Sequence, residues 1–171
     1  MVERLLLSGV DLPATIVDAD GLNTLARVPD WNTQWASNGV LTPHPGEMAR
    51  LISGSNYGDD TSRLDLACAA AREWGKTVVL KGAHTVVAHA DGSARLSPFA
   101  NPGLATAGTG DVLAGAIVGL LSQGLELETA ASLGVYLHGL AGESARERLG
   151  YTGMIASDLL PALPVSIADL R

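Results

Sequence analysis

The sequence contains a single cysteine, Cys68, among its 171 residues. One thiol can form neither an intrachain disulfide nor a metal site built from several cysteines, so both are excluded within the chain. Cys68 lies among alanines in a helix-like run, a pattern typical of a small buried side chain. Such low cysteine content is expected of a protein of the reducing cytoplasm.

Basic residues and long hydrophobic runs are also scarce. Eleven Lys and Arg residues face 18 Asp and Glu, a formal charge of −7, which disfavours a nucleic-acid or anionic-membrane partner. No apolar run reaches the roughly 20 residues of a membrane span, and the segment 1–7 is too short for a signal peptide. Because the net charge is negative, a phosphate-bearing ligand must be held by a local group of donors. Because neither a membrane span nor a signal peptide is seen, we expect a cytoplasmic location.

Hydrophobic residues make up 47% of the chain, enough for the core of one domain spanning residues 1–171. Short β-branched runs predict strands near residues 15–18, 40–42 and 77–81, and helical patterns lie between them. Further strands at 85–88 and 94–96 follow tight turns, so this later part of the sheet is expected to be antiparallel. Pro45 is placed to open a helix. The next helix is expected to have its N-cap among residues 59–61 and to end at Gly75.

A glycine-rich turn precedes an apolar segment at residues 110–121. Gly108, Thr109 and Gly110 would let backbone amides at a helix N-terminus approach a phosphate closely. The spacing matches neither a Walker A loop nor a Rossmann fingerprint. Because the segment is apolar nearly all round, we expect a buried central helix and a semi-buried Asp111, able to act as a base toward a hydroxyl. Alternatively, Asp111 only stabilises the helix dipole.

Five segments together resemble a known family. Residues 101–115, from Asn101 through the glycine turn to Gly115, resemble the signature of the ribokinase-like superfamily. Residues 41–48 (Leu-Thr-Pro-His-Pro-Gly-Glu-Met), 79–83, 18–23 and 136–139 narrow the resemblance to NAD(P)H-hydrate dehydratases. The resemblance covers essentially the whole chain. It implies a three-layer α/β fold with a mostly parallel sheet and antiparallel strands toward the C-terminal side.

The resemblance also implies an activity. In that family ATP or ADP, with Mg²⁺, phosphorylates the hydroxyl of hydrated NADH or NADPH, and loss of phosphate restores the reduced cofactor. Asp111 would be the catalytic base and would contact the hydrate. The residues expected to contact the nucleotide are Lys81, Gly82, Ala83, His84, Thr85, Gly108, Thr109 and Gly110. No metal site made by the protein alone is predicted.

His44, held between two prolines, resembles the hydrate-contacting histidine of the family, although such a segment can also be only a stiff turn. Glu47 lies where an acidic residue usually caps a helix, and a ligand or Mg²⁺ role is the alternative. Asp20 and Asn23 are candidate substrate contacts, and together with Asp18 they also suit a turn after a strand. His138 is interpreted as a packed or hydrogen-bonded core histidine.

Three further expectations concern the protein as a whole. Family members carry additional strands and a glycine-rich segment before the strand that begins near Thr15, so an N-terminal part is expected to be missing. Three explanations stay open: the sequence is a fragment, another chain or domain supplies that part, or the protein has diverged. The family resemblance also suggests a homo-oligomer. Two alternatives stay open: a ribokinase-like small-molecule kinase, and a non-catalytic nucleotide-binding or assembly fragment.

Overall fold

A computed structural model of the chain describes residues 2–53 and 62–170. The chain divides into two compact units, each with its own interior. Unit 1 comprises residues 1–81 and 86–95, and unit 2 comprises residues 82–85 and 96–171. No helix among the described residues is both long enough and apolar enough to cross a membrane.

The sheet of unit 1 has five strands in the order β1-β2-β3-β4-β5. Their bounds are β1 Thr15–Val17, β2 Gly39–Leu41, β3 Thr77–Leu80, β4 Val86–Ala88 and β5 Ala94–Leu96. The first three strands pair in parallel, and β4 pairs antiparallel with β3. A mostly parallel sheet with an antiparallel later part is confirmed. β2 and β3 are buried along their whole length, as expected of central parallel strands.

The helices of unit 1 are α1 Val2–Leu6, α2 Asp20–Leu25, α3 Trp31–Gln34, α4 Pro45–Leu51 and α5 Arg63–Trp74. Pro45 opens α4, as predicted, and Gly75 ends α5 in the left-handed conformation that favours glycine. The N-cap of α5 is Ser62, whose hydroxyl accepts a hydrogen bond from the Asp65 amide. The caps predicted at Asp59 to Thr61 lie outside the described residues. Trp31 packs against both Trp35 and Trp74 inside this unit, and all three side chains are buried.

Unit 2 consists mainly of α6 Thr109–Ser122, α7 Leu127–Leu149 and α8 Ala162–Ala168, with short 3₁₀ helices at Pro102–Ala105 and Ala156–Asp158. α7 contacts both α6 and α8. Glycines on α7 allow this close approach: a Cβ at Gly134 would come within 2.6 Å of Ile117 on α6. A Cβ at Gly142 would come within 2.8 Å of Leu104.

The predicted burial of α6 on all sides is wrong. Its buried residues are Thr109, Leu113 and Ile117, which recur every four residues on one face. Val118, on another face, is 50% exposed. A helix can be apolar all round and still be buried along one stripe only, because burial depends on which neighbours are present. Here α7 covers that stripe.

Candidate functional site

Three parallel strands deliver polar side chains to one edge of the unit 1 sheet. Asp18 follows β1 and Lys81 follows β3, while His44 comes after Thr42 and Pro43 at the end of β2. Two backbone hydrogen bonds hold these exits in line: the Thr42 amide donates to the Val17 carbonyl, and the Lys81 amide donates to the Pro43 carbonyl at 2.8 Å. In open α/β sheets, ligands bind outside this carboxyl edge.

Lys81 lies between two carboxylates at this edge. Its Nζ is 2.7 Å from Asp18 Oδ1 and 3.8 Å from Glu47 Oε2. The side chains of Lys81, Asp18 and Glu47 are 19%, 13% and 6% exposed, so water screens these ion pairs weakly. We call Asp18, His44, Glu47 and Lys81 the carboxyl-edge cluster. With His44 neutral, this cluster has two negative charges, on Asp18 and Glu47, and one positive charge, on Lys81.

His44 and Glu47 form a capping box at the start of α4. The His44 Nδ1 accepts hydrogen bonds from the Gly46 and Glu47 amides at 3.0 and 3.3 Å, and Glu47 Oε2 accepts from the His44 amide at 2.8 Å. The neutral imidazole must then carry its proton on Nε2, which lies 3.5 Å from Glu47 Oε1. Half of the His44 side chain is exposed, so this N–H can meet a ligand.

Asp20 and Asn23 line the first turn of α2 and join a cation that sequence reasoning missed. The Arg50 Nε donates to Asn23 Oδ1 at 2.8 Å, and Asn23 Nδ2 donates to Asp20 Oδ1 at 3.5 Å. Arg50 belongs to no motif in the sequence. The one feature that could have indicated it is its position three residues after Glu47, on the same side of α4. Between Asp18 and Asp20, Ala19 has a φ of 49°, a strained value for a residue with a side chain.

In unit 2, the glycine-rich turn ends at the first turn of α6. Gly108 has a φ of 87°, and a Cβ there would lie 3.0 Å from the Ala156 Cβ, so this position favours glycine. The Thr109 amide donates to the Thr106 carbonyl. Among the described residues of this unit, 82–85 and 96–170, the Gly110 and Asp111 amides donate no backbone hydrogen bond. These two donors suit an anion.

The predicted semi-burial of Asp111 is wrong, because its side chain is exposed. Asp111 follows Thr109 by two residues, about 200° around the helix, and therefore lies opposite the stripe that packs against α7. An exposed carboxylate beside two unpaired amides is accessible to a substrate hydroxyl and a phosphate. The placement also agrees with the alternative of dipole stabilisation.

The segment 82–85 is an exposed turn whose backbone is held by neighbours in unit 2. The His84 amide donates to the Phe99 carbonyl at 2.9 Å, and His84 Nδ1 lies 3.1 Å from the Ser97 carbonyl. The Thr85 hydroxyl donates to the Gly82 carbonyl at 3.0 Å. Gly82, like Ala83 and His84, is exposed. A fixed, exposed turn of this kind is able to contact a nucleotide.

His138 lies in the core of unit 2. His138 is buried, and its Nε2 lies 2.9 Å from the Thr109 carbonyl, so the prediction of a hydrogen-bonded core histidine is confirmed. Burial lowers its pKa below the usual value near 6.5. Across residues 2–53 and 62–170, no group of three or more His, Cys, Asp or Glu side chains could hold a metal ion.

Comparison with known proteins identifies the family of the chain. The family model described as NAD(P)H-hydrate dehydratase matches residues 6–165. The chain belongs to the NAD(P)H-hydrate dehydratase family. A relative in that family, the bifunctional NAD(P)H-hydrate repair enzyme Nnr of Moorella thermoacetica, is 49% identical over 168 residues, which cover 97% of this chain and 31% of the relative.

Two solved structures share the fold. The ADP/ATP-dependent NAD(P)H-hydrate dehydratase of Bacillus subtilis, crystallised with ATP and Mg²⁺ and soaked with CoA, matches with a TM-score of 0.78 and 30% identity over 92% of this chain and 57% of that chain. A ribokinase-like superfamily protein of Enterococcus faecalis matches with a TM-score of 0.79 and 27% identity over 98% of this chain and 57% of that chain. The predicted ribokinase-like α/β fold is confirmed, and the chain spans about a third to just over half the length of these proteins.

Proposed function

We propose that the protein catalyses the nucleotide-driven dehydration of hydrated NADH or NADPH, as a carbon-oxygen lyase of metabolite repair. One observation at the start of α6 carries this proposal. The Gly110 and Asp111 amides donate no backbone hydrogen bond within the described part of their unit, and the exposed Asp111 carboxylate lies beside them. Membership of the dehydratase family supports the same reaction. The structure of the related Bacillus subtilis enzyme, crystallised with ATP and Mg²⁺, supports a nucleotide as co-substrate.

The chemistry requires a base and an anion site side by side. Asp111 would accept the proton of the substrate hydroxyl as the hydroxyl oxygen attacks the terminal phosphoryl group of the nucleotide. The bond from that phosphorus to the rest of the nucleotide breaks, so that ATP leaves as ADP, or ADP as AMP. The Gly110 and Asp111 amides would stabilise the charge on the transferring group. The phosphorylated oxygen then leaves as inorganic phosphate while the ring loses a proton, which restores the carbon-carbon double bond of the reduced cofactor.

The remaining contacts are proposed residue by residue. We propose substrate contacts at His44, Asp20 and Asn23 in addition to Asp111. Nucleotide contacts are proposed at Lys81, Gly82, Ala83, His84, Thr85, Gly108, Thr109 and Gly110. For His44 the support is an N–H held outward by the helix cap, and for residues 82–85 it is a fixed, exposed backbone.

Mg²⁺ would accompany the nucleotide. It commonly binds through substrate phosphates and one or two carboxylates, with no cage of protein ligands. Glu47 and Asp18 already bind Lys81 and the Glu47 carboxylate caps α4, so we propose that nucleotide phosphates supply most of the coordination.

The decisive experiment substitutes Asp111→Asn and follows the formation of NADH or NADPH from its hydrate in the presence of ATP or ADP. We expect turnover to fall by about 10²- to 10⁴-fold, the usual contribution of a general base. Affinity for the nucleotide should change by less than about threefold, since the amides remain. The matched control is Glu128→Gln, which removes an exposed first-turn acid from α7.

The outcomes separate the candidate functions. If Asp111→Asn behaves like Glu128→Gln, with unchanged turnover and a small loss of stability, Asp111 only stabilises the helix dipole. Nucleotide consumption without formation of reduced cofactor would favour a small-molecule kinase. Nucleotide binding without any turnover, even beside a complementing chain, would favour a nucleotide-binding or assembly module.

Three proposals concern the protein as a whole. We propose that residues 1–171 act as one ribokinase-like domain located in the cytoplasm. Because relatives are considerably longer than this chain, we also propose that activity depends on a further domain, a complementing chain or a homo-oligomer. Measuring the mass of the active species in solution tests this last point.

A further inference from the structure

A buried histidine contacts the glycine-rich turn from inside unit 2. His138 lies in the middle of α7, is 8% exposed, and places Nε2 at 2.9 Å from the Thr109 carbonyl. A carbonyl oxygen can only accept, so Nε2 must carry the hydrogen. The lowered pKa of this buried imidazole keeps it neutral near pH 7, with the proton on Nε2 and a bare Nδ1.

Thr109 is held at both of its polar ends. Its hydroxyl lies 2.6 Å from the Leu104 carbonyl and 2.9 Å from the Thr106 carbonyl, and donates to this pair. Its own carbonyl accepts from His138. The first residue of α6 is therefore tied to the preceding turn and to α7 at once. The peptide group between Thr109 and Gly110 therefore has little freedom to rotate.

That following peptide group is the one that faces the proposed phosphate. The carbonyl of Thr109 and the amide N–H of Gly110 belong to the same peptide unit. A hydrogen bond to its oxygen draws electron density away from its nitrogen and makes the N–H a stronger donor, the usual cooperativity of linked hydrogen bonds. His138 thus acts on the buried side of the turn, without touching the ligand.

We propose that His138 is a positioning residue, which orients and polarises the peptide between Thr109 and Gly110 so that the Gly110 amide binds the phosphoryl group of the nucleotide. This inference deepens the proposed function and rests on it for the identity of the ligand. The hydrogen bond to the Thr109 carbonyl explains why a histidine, and not an apolar side chain, occupies this buried position.

The test compares two amide variants of similar polarity. In His138→Gln the side-chain NH₂ reaches about as far as Nε2, whereas in His138→Asn it is one bond shorter and stops near the position of Nδ1. Calorimetry with ATP and with adenosine separates phosphate binding from base and ribose binding. We expect His138→Asn to weaken ATP binding by about tenfold, the value of one hydrogen bond to a charged group, and adenosine binding by less than twofold. His138→Gln should stay within about threefold of the unchanged protein for both ligands.

Several results would overturn the inference. Equal losses for ATP and adenosine in a folded His138→Asn variant would indicate a general structural role, and so would a His138→Gln variant as weak as His138→Asn toward ATP. If neither variant folds, nitrogen NMR of the unchanged chain decides. We expect the neutral tautomer with the proton on Nε2, and a proton on Nδ1 would exclude the hydrogen bond to Thr109.

Failure of this inference can be told apart from failure of the proposed function. If the unchanged protein binds ATP but never converts the hydrate, the dehydratase proposal fails, while the contrast between ATP and adenosine still tests His138. If His138→Asn converts the hydrate with unchanged kcat and KM for ATP, the positioning role fails and the dehydratase proposal stands. Absence of any ATP binding overturns both.

Discussion

At the scale of single residues, helix capping decides what chemistry His44 can offer. Both amides that α4 directs at its ring meet Nδ1, so that nitrogen is an acceptor and the remaining proton lies on Nε2. His44 is therefore a hydrogen-bond donor toward a ligand. The proposed catalytic base and the proposed substrate donor are thus different residues.

The first prediction separates the cap from the donor. His44→Asn keeps an oxygen that can cap α4 but removes the Nε2 proton, so we expect stability within about 0.5 kcal/mol of the unchanged protein. The KM for the hydrate should rise about tenfold if one hydrogen bond to the substrate is lost. His44→Ala loses both functions and should in addition lower the free energy of unfolding by about 1 kcal/mol. Steady-state kinetics and urea denaturation measure the two effects, and an unchanged KM in His44→Asn would remove His44 from the substrate site.

The second prediction concerns the charges beside His44. Lys81→Met leaves Asp18 and Glu47 close together in a poorly exposed site without their cation, and we expect a loss of about 3 kcal/mol in the free energy of unfolding. Adding Asp18→Asn removes one of the uncompensated charges and should recover part of that loss. Urea unfolding of the single and double variants checks this. A double variant no more stable than Lys81→Met would show that the ion pair does not hold this edge.

At the scale of elements, α7 is built to let its neighbours approach closely. A Cβ on Gly139 would overlap the ring of Phe99, a contact that only a glycine allows without movement. Similar contacts at Gly134 and Gly142 continue along the same helix. Glycine lowers helix propensity by about 1 kcal/mol relative to alanine, so its repeated use in α7 indicates that packing outweighs propensity there.

The third prediction uses glycines of two helices. Gly139→Ala should destabilise the protein by about 1–3 kcal/mol, because the added methyl group overpacks against Phe99. The matched control is Gly115→Ala in α6. Apart from the adjacent backbone of α6 itself, no atom lies within 4 Å of the added Cβ, and helix propensity should stabilise this variant by about 0.5–1 kcal/mol. Thermal unfolding of both variants gives the sign of each change. Stabilisation by Gly139→Ala would contradict the packing of α7 against Phe99.

At the scale of the whole molecule, stability should depend on pH through His138. Burial lowers the pKa of this histidine below its unfolded value near 6.5, so between the two values the unfolded chain binds more protons than the folded one. The contribution of neutral His138 is complete above pH 6.5 and is lost as the pH falls from there toward the folded pKa. We expect the free energy of unfolding to decrease over this window.

The control for this fourth prediction is His138→Gln, which cannot titrate. The difference in unfolding free energy between the unchanged protein and this variant should shrink as the pH is lowered from 7.5 to about 5, which denaturant titrations at several pH values would measure. Carboxylates titrate alike in both proteins and therefore cancel in the difference. A difference that does not change with pH would place the folded pKa of His138 at its ordinary value.

Local signals in the sequence predicted much of the fold and named most of the candidate site. The strand order, the start of α4 at Pro45 and the end of α5 at Gly75 follow from backbone preferences that act within a few residues. The bond between Lys81 and Asp18, 63 residues apart, could not be read in this way, and neither could the Arg50 contact with Asn23. Such pairs form only once the strands align.

The amino-acid sequence by itself determined the family, the α/β class, and the turn that offers backbone amides beside Asp111, because these depend on short-range conformational preferences and on residue types. Only the tertiary structure decided that Asp111 is exposed, that one stripe of α6 is buried, and that His138 holds the Thr109 carbonyl. Burial and hydrogen-bond partners are properties of neighbours brought together by the fold. A helix that is apolar on every side carries no local mark of which side will be covered.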